Sequence, residues 1–193
     1  MEYTQLAGDV EQLAESLGQL PEPVAEPVFI AVSGLPGTGK SYFCGKLAER
    51  LPFVILESDA LRKVLFSPPS YSPKESSHLF RAVHRLIERL LKKGTSLILD
   101  ATNLSELHRE YFYSIADRLD VKLVLVRVEA PSEVVRRRLE NRPGNSDGKS
   151  DADWAIYQRM KPLAQKIRRK HYAVDTSQDI TPVLDKIVRE VRR

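Results

Sequence analysis

The chain has 193 residues, 42% hydrophobic and 29% charged, with a formal net charge of +4, the size and mix of one soluble globular domain with a core of its own. No apolar run approaches the eighteen or so residues needed to cross a bilayer, and no basic start leads into an apolar stretch as in a secretory signal. The single cysteine, Cys44, excludes an internal disulfide, so a reducing cytoplasm is the expected setting. Charge is unevenly placed: residues 1–27 hold six acids and no Lys or Arg, leaving +10 on the rest. A basic body suits a polyanion such as ATP, a nucleic acid, or simply a solvated cationic surface, and charge alone does not choose.

Residues 4–20 set Leu6, Val10, Leu13, Leu17 and Leu20 at steps of four and three, the stripe of an amphipathic helix. Pro21, Pro23 and Pro27 stop that pattern and make 21–27 a linker. The helix is expected to dock on the body, pair with a partner chain, or join a neighbour. From Val28 onward, apolar β-branched runs alternate with helical stretches. Strands are predicted at 28–33, 53–57, 96–100, 121–128 and 171–175, and helices at 41–50, 75–93, 105–119, 132–141, 154–170 and 182–192. Gly94 ends the second of these helices, and Pro143 bars the fourth from continuing. Continuous apolar strands with helical crossovers imply an α/β fold of three layers, a five-stranded parallel sheet flanked by helices, with the N-terminal amphipathic helix added. Two segments are therefore expected, 1–27 and a domain at 28–193.

Gly34-Leu35-Pro36-Gly37-Thr38-Gly39-Lys40-Ser41 matches G-x-x-x-x-G-K-[ST] in full, between a predicted strand and a predicted helix. That makes a P-loop NTPase fold the expected architecture. Its backbone amides would wrap the phosphates of ATP, Lys40 would bridge the β- and γ-phosphates, and the Ser41 hydroxyl would ligate Mg²⁺. Cys44, one turn further on, is expected to pack. No N-K-x-D element marks guanine.

Two strand ends deliver polar residues to the same sheet edge, where ligands bind in parallel sheets. Asp59 and Arg62 follow the second strand: Asp59 could take the proton of an attacking hydroxyl or cap the next helix, and Arg62 could steady the acceptor or the phosphoryl group. Asp100 ends the third strand and could hold a Mg²⁺-bound water. Thr102 and Asn103 could bond an acceptor or position Asp100, with Asn103 and Ser105 as alternative caps. Arg136, Arg137, Arg138 and Arg142 crowd one helix before a Gly/Asn/Ser/Asp loop. Arg138 and Arg142 share a face and are expected to close over the phosphates as part of a lid at about 132–153. Arg136 and Arg137 are expected to pair with Glu133 and Glu140. The four histidines show no metal-ligand spacing, so no zinc site is expected.

These motifs in this order, with Ser150-Asp151-Ala152-Asp153, resemble the P-loop kinases of the polynucleotide-kinase and zeta-toxin type over residues 28–193. The resemblance implies Asp59 as general base, Arg62 as acceptor contact, Arg138 and Arg142 as lid arginines, and a loop at Asp175, Thr176, Ser177 and Gln178 against the adenine. An arginine after Asp-Ala-Thr-Asn is frequent in that group, and Arg109 matches it without an evident role. The expected activity is transfer of the γ-phosphoryl group of Mg-ATP to a hydroxyl of a small molecule or a polynucleotide 5′ end. The alternatives are a nucleic-acid-associated ATPase and a non-catalytic ATP-sensing module. The segment from Phe66 to Pro73, with three prolines, is expected to form a fixed acceptor wall. Few exposed aromatics interleave with basic residues there, which mildly favours a small hydroxyl acceptor over single strands.

Overall fold

A computed structural model describes residues 2–141 and 152–193. After helix α1 (Glu2–Ser16) come strand β1 (Val28–Ser33), helix α2 (Lys40–Ala48), strand β2 (Val54–Glu57), and helices α3 (Ser58–Leu65) and α4 (Pro73–Lys92). Then follow β3 (Leu97–Asp100), α5 (Glu106–Leu119), β4 (Lys122–Glu129), α6 (Ser132–Glu140), α7 (Trp154–Met160), a 3-10 turn (Lys161–Leu163), β5 (Tyr172–Asp175) and α8 (Thr181–Val191). The five strands form one wholly parallel sheet in the order β2-β3-β1-β4-β5. This is the P-loop NTPase fold anticipated from the alternating pattern. The chain passes from β1 to β2 on one side and from β3 across β1 to β4 on the other, so the crevice where the crossovers diverge opens at the end of β1.

Every residue of β1 is buried because helices cover both faces. Phe29, Ala31, Leu56, Leu97 and Leu99 pack with α1, α4 and α5. Ile30, Val32, Ile98, Val126 and Val174 pack with α2 and α8. The period of two along each strand places residues 32, 57 and 100 on the α2 face, at the carboxyl ends.

The N-terminal helix docks on the body, one of the outcomes its stripe allowed. Val10 and Leu13 enter the same cluster as Leu79, Val83 and Leu86 of α4. Polar contacts fix its angle: Gln12 donates to the Val64 carbonyl at 2.9 Å, Asp9 meets His78 at 2.6 Å, and Arg89 donates to Glu11. The proline-rich segment after it is strapped down as well, with the Val24 amide donating to the Gly94 carbonyl at 2.8 Å. Gly94 has φ +79°, and a Cβ there would meet the Val24 oxygen at 2.6 Å, so this helix stop doubles as the seat of the linker.

Two expectations are corrected. Residues 58–65 form helix α3, so Asp59 sits inside its first turn and does not cap it. The helix predicted over 154–170 ends at Met160. Pro162 lacks an amide hydrogen, and the chain beyond it finds other backbone partners: the Gln165 amide donates to the Leu104 carbonyl, while Arg109 claims the carbonyls of Gln165 and Lys166. No helix among the described residues is long and apolar enough to cross a membrane.

Leu13 is fully buried, so Leu13→Ala should cost about 2–4 kcal/mol through lost burial and a residual cavity. Urea unfolding would measure it, and an unchanged midpoint would mean that α1 contributes nothing to the core.

Candidate functional site

The segment from Gly34 to Ser41 wraps the end of β1 and opens α2. Gly37 (φ +76°) and Gly39 (φ +93°) both adopt left-handed backbone, which only glycine enters without strain. Space would exclude side chains as well: a Cβ on Gly37 would lie 2.9 Å from Leu139 and Val135, and one on Gly39 would lie 3.0 Å from the Thr176 hydroxyl. The loop is tied to its surroundings. The Gly34 amide donates to the Thr102 carbonyl at 3.1 Å, and the Thr38 hydroxyl donates to the Leu35 carbonyl at 2.7 Å. Lys40 Nζ donates to the Leu35 carbonyl at 3.2 Å. The result is a rigid ring of backbone amides at a helix N-terminus, a geometry suited to phosphate.

Ser41 Oγ donates to Asp100 Oδ2 at 2.6 Å. Asp100 is 4% exposed. Burial pushes its carboxyl up and Asp59 adds to that, while Lys40 and the Ser41 hydroxyl pull it down. Beside it, in register across the β2–β3 ladder, stands Glu57. Burial, Asp100 and Asp59 together raise the carboxyl of this half-buried residue against the pull of Lys40 and Lys63. Glu57, Asp59, Asp100, Lys40 and Ser41 thus form one electrostatic cluster. The sequence reading missed Glu57. The signal was present, since Glu57 ends an apolar strand as Asp100 does, but only the register shows that the two face each other. Cys44 packs in the α2-side core, as expected, and burial pushes its thiol up.

Arg138 reaches back from α6 to three partners. Its guanidinium donates to Thr176 Oγ1 at 2.8 Å, to the Thr176 carbonyl at 2.9 Å and to the Gly37 carbonyl at 3.4 Å. Thr176 in turn donates to the Thr38 carbonyl at 2.5 Å. The Asp175 carboxylate accepts from the Ser177 amide at 2.8 Å and hydroxyl at 2.7 Å, which shapes this loop beside the P-loop. Arg142, Ser150 and Asp151 lie outside the described residues. Arg136 pairs with Glu140 on the exposed face of α6.

On α3, Arg62 is buried and ion-paired with Glu75, and it also donates to the Ser76 hydroxyl at 3.2 Å. The Tyr71 ring lies 4.9 Å from its guanidinium carbon. Glu75 also accepts from the Ser70 amide and hydroxyl at 2.6 Å and the Tyr71 amide at 3.2 Å. Arg62 therefore organises the wall at 66–73 from behind. Asn103 also turns inward: its amide donates to the Val32 carbonyl at 3.3 Å, and its backbone has φ +46°. Arg109, 2% exposed, explains that posture. It donates to the Asn103 carbonyl and to Glu106, Gln165 and Lys166, clamping the β3–α5 loop to the segment after the 3-10 turn. Ser105 occupies the cap position of α5 without bonding, and the Gln165 side chain accepts from the Glu106 amide instead.

Burial works against ionisation of Glu75, but the Ser70, Arg62 and Tyr71 donors outweigh it and hold its carboxyl at about 2, below the ordinary 4.5. The folded-state value is the lower one, so the stability this gives is complete above about pH 4.5 and is lost as pH falls toward 2. Glu75→Gln should flatten the acid limb of stability between those values in urea unfolding at stepped pH. A limb that stays unchanged would remove Glu75 from that role.

Residues 29–167 match the AAA domain family. Solved structures with the same fold include a gluconokinase from Sinorhizobium meliloti (18% identity, 86% of this chain and 96% of that one, TM-score 0.61). A second is the Mycobacterium tuberculosis APS kinase CysC in complex with AMPPNP and APS (17%, 89% and 100%, 0.64). A third is Chaetomium thermophilum Kti12 in complex with ADP-AlF3 (19%, 82% and 96%, 0.63). No curated protein matches the chain. The chain belongs to the AAA domain family, and its fold is that of the P-loop kinases.

Proposed function

We propose that this AAA domain family member is an ATP-dependent kinase that transfers the γ-phosphoryl group to a hydroxyl acceptor. One observation carries the reading: a glycine-built phosphate cradle and three carboxylates converge at one sheet edge, with Lys40 and Ser41 between them. A phosphate-binding module would need the cradle alone. A carboxylate group placed opposite the phosphates is what a transferase needs to receive a proton.

In this reading, the loop at 34–41 holds the β- and γ-phosphates through amides such as those of Gly39, Lys40 and Ser41 and through the Lys40 side chain. Arg138, fixed by Thr176 and Gly37, adds positive charge above the loop, and Arg142 joins it from the lid at about 132–153. Asp175, Thr176 and Ser177 border the adenine. Magnesium fits the donor set, since the Ser41 hydroxyl and the Asp100 carboxylate are hard oxygen donors. Ser41 would ligate it and Asp100 would hold one of its waters, and the ion supplies charge neutralisation between the phosphates. Asp59, in the first turn of α3 where the helix dipole favours a carboxylate, takes the acceptor proton. The acceptor oxygen bonds to the γ-phosphorus as the bond from that phosphorus to the β,γ-bridging oxygen breaks, and ADP leaves. Arg62 and Glu75 hold the acceptor wall rigid, and Thr102 and Asn103 set the floor beneath the P-loop. Glu57 keeps the acidic edge continuous with Asp100.

Transfer of labelled γ-phosphate across a panel of sugars, nucleosides, sugar nucleotides, aminoglycosides and 5′-hydroxyl oligonucleotides tests this. Asp59→Asn should keep ATP affinity and lose about 10²–10⁴-fold in transfer, and Lys40→Ala should lose transfer through poor phosphate placement. Retained transfer in Asp59→Asn would sink the base assignment. ATP binding with no acceptor labelled would turn the reading to an ATPase or a nucleotide sensor.

A further inference from the structure

A groove of about 660 Å³ opens between α4 and α5, on the sheet face opposite α2, with Leu6 of α1 at one side. None of its lining residues belongs to the phosphate loop or to the carboxylate cluster. We propose that this groove is a second ligand site, one that takes a nucleoside phosphate: an aromatic base against Tyr111 and His84, with its phosphate beside Arg85 and Arg118.

Two independent features specify that chemistry. The first is a stacked aromatic floor. The His84 and Tyr111 rings, both in the groove lining, lie 4.9 Å apart at 24°. Tyr111 is 53% exposed, so its outer face presents a large flat ring to solvent. Such rings accept bases of any sequence by stacking. His84 Nε2 is buried with no hydrogen-bond partner, which leaves one polar atom of the floor unsatisfied.

The second feature is the rim. Arg81 and Arg85 are one turn apart on α4, and Arg118 faces them from α5. The Arg85 and Arg118 side chains are 59% and 54% exposed. The one carboxylate in the groove, Glu88, is shared among Arg118 at 3.3 Å, Arg85 at 3.9 Å and Lys92 at 2.8 Å. Arg85, Arg118 and Lys92 therefore outnumber the carboxylate they share, beside an exposed aromatic ring, the pairing that phosphate and base together require. The volume falls within the range of small-ligand sites. An acidic peptide would satisfy the rim but would leave the flat stacked floor unused.

The ligand chemistry has two sources, a free nucleotide or one unit of a single strand, and the test separates them. The full chain, saturated with AMPPNP, is titrated calorimetrically with cytidine monophosphate and separately with a short thymidylate oligonucleotide. Saturable binding is expected, weakened about tenfold or more by Tyr111→Ala and by Arg118→Glu, both surface changes that leave AMPPNP affinity as the check on folding. Binding of the mononucleotide assigns a free nucleotide, and binding of the oligonucleotide alone assigns a strand. No binding of either probe, or binding that survives both substitutions, overturns the proposal. If AMPPNP itself does not bind, the kinase reading fails while the same titrations without it still decide the groove.

Discussion

The left-handed backbone at Gly37 and Gly39 is the constraint on which the rest of the site depends. Those two residues aim the loop amides inward, and each is held by a neighbour from a distant part of the chain. Leu139 and Val135 of α6 press against Gly37, and Thr176 presses against Gly39. The Gly34–Ser41 loop is thus the place where α6 and the segment after β5 meet, and Arg138 secures all three. A side chain at either glycine would strain the backbone and also displace α6 or the 175–177 loop. The cradle and its arginine form one packed unit.

The opposite half of the site is organised by buried charge. Among the described residues, Arg62 with Glu75, and Arg109 with the carbonyls of Asn103, Gln165 and Lys166, are the two places where a guanidinium is removed from water. A charge so buried needs a compensating partner, and the Glu75 carboxylate and the Asn103, Gln165 and Lys166 carbonyls supply it, so each arginine dictates the path of the loops that meet it. Arg62 fixes the wall at 66–73 and Arg109 fixes the floor at 103. Helix α1 adds stability from behind, since its leucines complete the core on which α4 rests. The wall at 66–73 and the loop at 103 are therefore built on a layer whose far surface carries the proposed nucleotide groove. A ligand there would bear on the same two helices, α4 and α5, whose N-termini approach the site.

Much of this was legible in the chain. The strand-to-helix placement of Gly34–Ser41 and the apolar runs ending in acids gave the fold and most of the cluster, because local pattern and strand parity are themselves local properties. What escaped was set by partners far away in sequence. Arg109 showed no role until the segment after Pro162 came to lie beside it. Glu57 was overlooked because its importance depends on facing Asp100. The helix predicted beyond Met160 was lost to backbone bonds with Leu104, a competition that the periodicity of 154–170 could not reveal.

The sequence by itself determined the architecture, the phosphate cradle, and the acids that end β2 and β3, since glycine conformations and strand alternation are dictated residue by residue. Only the tertiary structure decided that the N-terminal helix belongs to the core, that Arg62 pairs with Glu75, and that His84 of α4 and Tyr111 of α5 stack in a groove lined also by Arg85 and Arg118. Each of these is a meeting of residues separated along the chain, and whether such residues meet depends on the packing of whole elements, which no local pattern encodes.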